Sequence, residues 1–331
     1  MKRKYLVTGG AGYIGSHTVR FLVEKDISPQ DIIIFDSLEN GHDDFLLDGT
    51  IFVKGDLKKR EDILKVFKKY KIDTVIHFAA YALVGESMSD PAKYFRNNIL
   101  GGVNLLEAMK EGGCKKIIFS STCAVYGYPE DNKPLNESNA TNPINPYGES
   151  KLVFEKIISW YVNIFGFQSI KLRYFNACGA HYDVGERHNP ETHLIPIILE
   201  VALGKRDHIG IFGTDYKTKD GTCIRDYIHV YDLAKAHYFS INYLDKSENA
   251  DEVFNLGNGK GYSVQEIVDI AREVTGVNFK STVESRREGD PDILISDSRK
   301  ANNMLNWYPE KDIYDIISSA WNWHSREVSG K

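Results

Sequence analysis

Short apolar runs recur along the first half of the chain, separated by stretches long enough for a helix or crossover. The runs Tyr5–Thr8, Ile32–Asp36, Ile51–Val53, Thr74–Phe78, Lys116–Ser120 and Ser169–Arg173 read as strands of a sheet covered on both faces. Helical spacing of apolar positions fits Gly12–Glu24, Glu61–Tyr70, Pro91–Lys110 and Tyr147–Phe165, the last opened by Pro146. This alternation predicts an α/β fold, a doubly wound parallel sheet joined by right-handed crossovers. After Asn176 the rhythm changes. Residues 177–192 have turn composition, and beyond them the pattern predicts a helix over His193–Leu203, a short strand at IGIFG, and helices near Ser263–Thr275 and Tyr314–Trp323. Residues 1–176 are therefore expected to form one domain, whose ligand the next features indicate. Residues 177–331 are expected to form a smaller α/β domain that caps it, with some later segments packing back on the first.

The loop after the first run sharpens this. Residues 4–15 read KYLVTGGAGYIG and space Gly9, Gly12 and Gly15 as G-x-x-G-x-x-G before a helix. Such a loop lets backbone approach a pyrophosphate, whose charge meets the amide groups and positive dipole end of the helix. The next strand ends in Asp36, 21 residues after Gly15, where an acid receives adenosine ribose hydroxyls. A carboxylate there repels a ribose phosphate, and no Arg or Lys follows in SLENGHDD, so NAD is expected rather than NADP. Ligands of open parallel sheets bind at the carboxyl ends of strands. Gly9, Asp36, Phe78, Ser120 to Thr122 and Asn176 should thus rim one crevice.

Tyr147 joins that crevice from its helix, with Lys151 one turn on. The four-residue spacing puts phenol and ammonium on one face, where the cation favours the phenolate. Bringing a phenol from its usual ~10 down by roughly three units needs about 4 kcal/mol of preferential stabilisation. A lysine together with a cationic cofactor ring can supply it.

Composition excludes more than it assigns. The 331 residues are 42% hydrophobic, enough for a sizeable core, and the net charge of -5 gives no attraction to nucleic acid or an anionic membrane. Cys114, Cys123, Cys178 and Cys223 are widely spaced, without C-x-x-C or a histidine at ligand spacing, so free thiols and no metal are expected. The basic start MKRKYLV is cut by Thr8-Gly9-Gly10 well short of a secretory apolar core of about 7–15 residues, and no apolar run reaches the ~18 of a membrane helix. A cytoplasmic protein is the expectation.

The motifs TGGAGYIGSH, HFAAYALVGES, FSSTCAVYG, NPYGESK, LRYFNACGAH, GTCIRDYIHVYDLA, FNLGNGKGYSV, RREGDP and NWYPE run nearly end to end. Together they resemble the extended short-chain dehydrogenase/reductase family and, within it, the UDP-glucose 4-epimerases. The resemblance implies a Rossmann-type fold, bound NAD, and hydride removal and return at sugar carbon 4, with Tyr147 as base, Thr122 on the same oxygen and Lys151 beside the phenol. It implies cofactor contacts from Gly9, Gly12, Tyr13, Ile14, Gly15, Asp36, Ser37, Asn40, Asp56, Leu57, Phe78, Ala79, Ala80, Asn98, Tyr147, Lys151 and Tyr174. It implies UDP-sugar contacts from Thr122, Tyr147, Asn176, His193, Leu194, Phe212, Arg225, Tyr227, Arg287 and Asp290. Related dehydratases and decarboxylases carry Asp or Glu directly after the Ser/Thr. Here Cys123 and Ala124 stand there, which favours epimerisation over elimination. Ala82 replaces a cofactor-binding lysine of some members, and His193 an asparagine. Leu294 occupies a gate where Tyr excludes N-acetylated sugars and small residues admit them, so N-acetylhexosamine and pentose sugars remain alternatives. A homodimer built on helices from 91–110 and 146–165 is also implied.

Overall fold

A computed structural model of the chain describes residues 3–129, 132–287 and 290–329, the last three by backbone alone; Glu288 and Gly289 of the RREGDP motif lie outside these. The elements run β1 (Tyr5–Thr8), α1 (Tyr13–Glu24), β2 (Ile32–Asp36), β3 (Ile51–Lys54), α2 (Arg60–Lys69), β4 (Thr74–His77), α3 (Val84–Ser89), α4 (Pro91–Tyr94), α5 (Gly101–Glu111), β5 (Lys116–Thr122), α6 (Pro146–Phe165) and β6 (Gln168–Tyr174). They continue as β7 (Asn176–Cys178), α7 (Leu194–Ala202), β8 (Ile209–Phe212), β9 (Ile224–His229), α8 (Val230–Lys246), β10 (Asp251–Leu256), β11 (Gly261–Ser263), α9 (Val264–Thr275), β12 (Ser281–Glu284), β13 (Ile293–Leu294), α10 (Arg299–Leu305) and α11 (Ile313–Ser329).

Seven strands form one parallel sheet in the order β10-β6-β5-β4-β1-β2-β3. Neighbouring residues on each strand supply opposite faces, which is why the runs are apolar throughout. Val7, Ile34, Ile76 and Ile118 pack in a core with residues of α1, α8 and α10. Leu6, Ile33, Val75 and Ile117 pack on the other face with α2, α5 and α6. The remaining segments make two smaller sheets, β8 with β12 and β7, β11 and β13 around β9, covered by a third core from α7, α9 and α11.

Three local features extend or correct the sequence expectation. The fifth strand runs on to Thr122, its last three residues paired with Leu172, Arg173 and Tyr174 of β6, so the sheet itself carries Thr122 into the crevice. The helix expected over 91–110 contains a π-helical turn, Phe95–Leu100, between α4 and α5. And α8 with β10, not foreseen as elements, close the first sheet: β10 pairs with β6 along its whole length.

Candidate active site

The strand order reverses between β1 and β4, and the crevice opens there. Gly9 turns the chain at φ +72°, and a Cβ on it would lie 2.6 Å from the Ala79 amide nitrogen. A Cβ on Gly15 would lie 2.2 Å from the Gly9 carbonyl oxygen, so only glycine lets α1 come this close to the loop. Gly12 caps α1 without a side-chain hydrogen bond, leaving first-turn amides for an anion. Tyr13 donates to the Gly179 carbonyl at 2.5 Å, tying this turn to the chain beyond β7, and Ile14 packs against the core. Asp36 is buried and accepts from the amides of Ala11 and Leu38 at 3.0 and 2.9 Å. Burial raises its carboxyl above the usual range against those bonds. Its spare lone pairs suit ribose hydroxyls. Arg187, remote in sequence, donates from Nη2 to both Asp44 carboxylate oxygens, at 2.6 and 2.8 Å.

The other predicted cofactor residues line the same end of the sheet with different degrees of commitment. Phe78 and Ala79 amides both donate to the Thr8 carbonyl, and the Phe78 ring lies 4.6 Å from His237. Ala80 is half-buried, Ser37 receives the Glu39 amide, and Asn40 is exposed. Asp56 receives the Lys58 amide at 2.9 Å, and Leu57 is buried with its carbonyl held by Asn104. Asn98 sits in the π-helical turn and uses its side chain on Tyr81 amide and carbonyl and on Ser150 Oγ, at 2.9, 3.1 and 2.9 Å. It positions the loop after β4. Beside Ala82, Lys93 covers the Tyr81 ring at 4.4 Å and Lys58 reaches its hydroxyl at 3.4 Å.

Asn145 caps α6 by accepting the Gly148 amide at 2.8 Å, and this start aims Tyr147 at Thr122. Burial pushes the Tyr147 phenol up to about 12, opposed by a hydrogen bond with Thr122. Lys151 is 3% exposed, its Nζ 2.8 Å from the Ser120 carbonyl and 6.0 Å from the Tyr147 ring centre. Burial lowers its ammonium to about 7, with Glu155 opposing. The protein's own groups thus raise the phenol rather than lower it. Lysine and tyrosine share one face as the spacing predicted. Tyr174 closes the floor, its hydroxyl 2.6 Å from His237 Nε2.

The opposite wall is side chain. Asn176 donates to the Asp226 carbonyl at 2.8 Å, Tyr227 is buried, and Arg225 spans Pro291 carbonyl at 2.9 Å and Asp290 at 3.2 Å. Leu294 pairs with Arg225 across β13 and β9 and packs against Val125 and Leu152. Burial pushes the Cys123 thiol up to about 12, and nearby Arg225 opposes this, so the arginine lies close to the end of β5. Arg287 stacks on Phe212 at 3.9 Å. His193 caps α7 just before Leu194, its Nδ1 2.9 Å from both Glu186 and Glu191.

Sequence reasoning missed the supports. Glu155 and Arg173 form a bidentate buried pair at 3.0 and 2.6 Å that also engages Ser121 and Tyr126. Glu155 follows Lys151 by one helical turn, so the four-residue spacing offered that signal. Asp226 is fully buried and accepts from Asn258, Gly259 and Ser296, binding β9 to two distant loops. A four-residue cluster, Glu186, His188, Glu191 and His193, was also missed as a cluster, only His193 having been singled out; no metal was expected, yet these are groups able to hold one. Burial disfavours charge on its imidazoles, but the two carboxylates outweigh it and hold His188 up to about 9 and His193 up to about 10.

Residues 5–257 match the NAD dependent epimerase/dehydratase family. The chain belongs to this family. Among its members, a UDP-glucose 4-epimerase of Streptococcus mutans is 50% identical over 98% of each chain. The crystal structure of a UDP-glucose 4-epimerase from Brucella ovis in complex with NAD has a TM-score of 0.92 at 42% identity, over 97% of this chain and 98% of that one. A UDP-Glc/GlcNAc 4-epimerase from Campylobacter jejuni has a TM-score of 0.86 at 41% identity, over 98% and 100%. The family's cofactor is NAD. The glycine turn, the uncapped start of α1 and the buried Asp36 fit it.

Proposed function

We infer that the protein interconverts UDP-galactose and UDP-glucose by withdrawing and returning the hydrogen on sugar carbon 4. The observation that carries this is the meeting of Thr122, Tyr147 and Lys151 at the end of β5, beside the glycine loop, with thiol and methyl at Cys123 and Ala124. A hydrogen on an alcohol carbon is not acidic, so inversion there requires oxidation first. Bound NAD supplies the hydride acceptor and, once reduced, the donor. Tyr147 takes the proton of the 4-hydroxyl, and Thr122 holds the same oxygen. Lys151 lies beneath the phenol and orients the nicotinamide ribose. The 4-keto sugar turns its other face to the cofactor, and Tyr147 gives the proton back. No carboxylate at positions 123 and 124 is available to drive elimination.

Gly9, Gly12, Tyr13, Ile14 and Gly15 cradle the pyrophosphate, Asp36, Ser37 and Asn40 hold the adenosine ribose, and Asp56 and Leu57 border the adenine. Phe78, Ala79, Ala80 and Tyr174 line the middle of the cofactor, with Asn98 fixing their loop. Arg225 and Arg287 grip the diphosphate, while Asn176, His193, Leu194, Phe212, Tyr227 and Asp290 surround the nucleotide. Residues 1–176 serve the cofactor and 177–331 the substrate, apart from α8 and β10, which pack on the first sheet. The enzyme works in the cytoplasm, where UDP sugars and NAD are available. It works as a homodimer, for which exposed Leu100, Trp160 and Ile164 offer apolar surface along the helical segments 95–111 and 146–165. Among the described residues no helix is long and apolar enough to cross a membrane.

A second reading, epimerisation of an N-acetylhexosamine or pentose on UDP, is favoured by Leu294, neither bulky as Tyr nor small, at the position that the resemblance makes a gate, paired with Arg225 across β13 and β9. Purified protein given UDP-galactose, UDP-N-acetylgalactosamine and a UDP-pentose in turn, with products identified chromatographically, separates the readings. Fastest turnover is expected on UDP-galactose without net NADH formation; turnover confined to another sugar replaces the first reading with the second.

A further inference from the structure

Between the start of α1 and the start of α7, Glu186, His188, Glu191 and His193 bring four donor atoms within 4.8 Å of one another. We propose that these four residues bind one divalent metal ion, of which zinc suits the donor set best. The set is two imidazole nitrogens and two carboxylate oxygens. A tetrahedral ion with bonds of about 2.0–2.1 Å holds neighbouring donors about 3.3 Å apart. The distances here straddle that edge: His193 Nδ1 lies 2.9 Å from Glu186 and 2.9 Å from Glu191, and His188 Nδ1 lies 3.2 Å from Glu186 and 3.7 Å from Glu191.

Orientation supports the same reading. His188 Nδ1 is buried and makes no aligned hydrogen bond, although both carboxylates are close. His193 Nδ1, by contrast, is hydrogen-bonded to Glu191 Oε1 at 2.9 Å, a bond that coordination to an ion would replace. With both imidazoles protonated the two carboxylates, one of them 4% exposed, are already balanced; a dication replaces those two protons at the same net charge, so metal binding here releases protons.

All four positions come from protein, as in structural zinc sites, so the ion fastens rather than catalyses. What it fastens is specific. His188 lies edge-on to Tyr13 of the glycine loop's helix, with ring centres 6.3 Å apart, and His42 hydrogen-bonds the Arg187 carbonyl at 2.9 Å. His193 caps α7 on the other side. The ion therefore clamps the segment joining the cofactor wall to the substrate wall. Coordination through Nδ1 also leaves the His193 proton on Nε2, free to donate.

The test uses tag-free protein stripped with a chelator and then titrated with Zn²⁺ against a chromophoric competitor, alongside His188→Ala and Glu191→Gln. One zinc per chain is expected for the wild type, with affinity at least about 100-fold weaker in each variant. Wild type without stoichiometric zinc, or variants that bind as well as wild type, overturns the proposal. A misfolded variant would lose zinc for another reason, so cobalt(II) on the wild type gives an independent reading. The intense visible absorption of four-coordinate cobalt is expected; the weak absorption of six-coordinate cobalt, or none, contradicts the site.

Discussion

The two walls of the crevice are made of different material. The cofactor wall is largely backbone: amides at the glycine loop and at the ends of β1, β4 and β5, held by a sheet whose strands are buried on both faces. The substrate wall is charged side chains already engaged with protein partners, Arg225 with Asp290, Arg286 with Asp292, and Arg287 over an aromatic ring. Backbone in a packed sheet has one arrangement and accepts one ligand in one pose. Side chains in ion pairs can trade a partner for a diphosphate. On the proposed function, the first wall sets the chemistry, and the second sets which nucleotide sugar reaches it and how tightly.

The comparison breaks first if the catalytic end of the cofactor wall tolerates change. Tyr147→Phe is expected to lower kcat by about 10²–10⁴ while leaving bound NAD and melting temperature near wild type, because the phenol acts on the reacting proton and packs little differently without its oxygen. Steady-state kinetics with cofactor absorbance checks this; near-normal kcat assigns the proton transfer elsewhere.

Lys151 gives a pH test of the same wall. Its ammonium is lowered from the usual 10.5 to about 7 in the folded protein, chiefly by burial. At and below pH ~7 both folded and unfolded chains carry the charge, and the fold bears the full cost of burying it. Between ~7 and ~10.5 the unfolded chain binds the extra proton, so stability rises with pH and the cost is gone above that window. In cofactor-free protein, Lys151→Met should be more stable than wild type by roughly 2–4 kcal/mol at pH 6, with the gap shrinking towards pH 10. Urea unfolding at several pH values measures it, and a pH-independent gap refutes the buried charge.

The substrate wall should respond by degrees. Arg225→Ala removes charge-assisted hydrogen bonds worth about 1.5–3 kcal/mol, so KM for the UDP sugar is expected to rise about 10- to 100-fold with kcat changed less. A fall confined to kcat would move this arginine to the chemical side of the comparison.

The same division explains what could be read from the sequence. The cofactor wall is local: a continuous apolar run, a glycine loop and an acid at the next strand end lie within the first 36 residues, and each constrains the backbone directly. Tyr147 and Lys151 are one helical turn apart, and so is their support Glu155. The substrate wall is assembled from a distance. Arg225 and Asp290 are 65 residues apart and meet because β13 pairs with β9. Strand β10 is equally short-range in appearance, but its place beside β6 depends on α8 filling the face above α1. Asn98 reads as an ordinary helical residue, and only a π-helical turn aims it at Tyr81. The cluster from Glu186 to His193 has a spacing that matches no regular element, so only the folded turn shows that its donors converge.

The central claim is that the hydrogen on carbon 4 leaves as hydride and comes back to the same carbon. UDP-galactose carrying deuterium at carbon 4 tests it most directly, with the UDP-glucose product analysed by mass and NMR. The account predicts that the deuterium stays at carbon 4 and that reaction in deuterated water places no solvent label there. Loss of the label to solvent, or solvent deuterium at carbon 4, would contradict it.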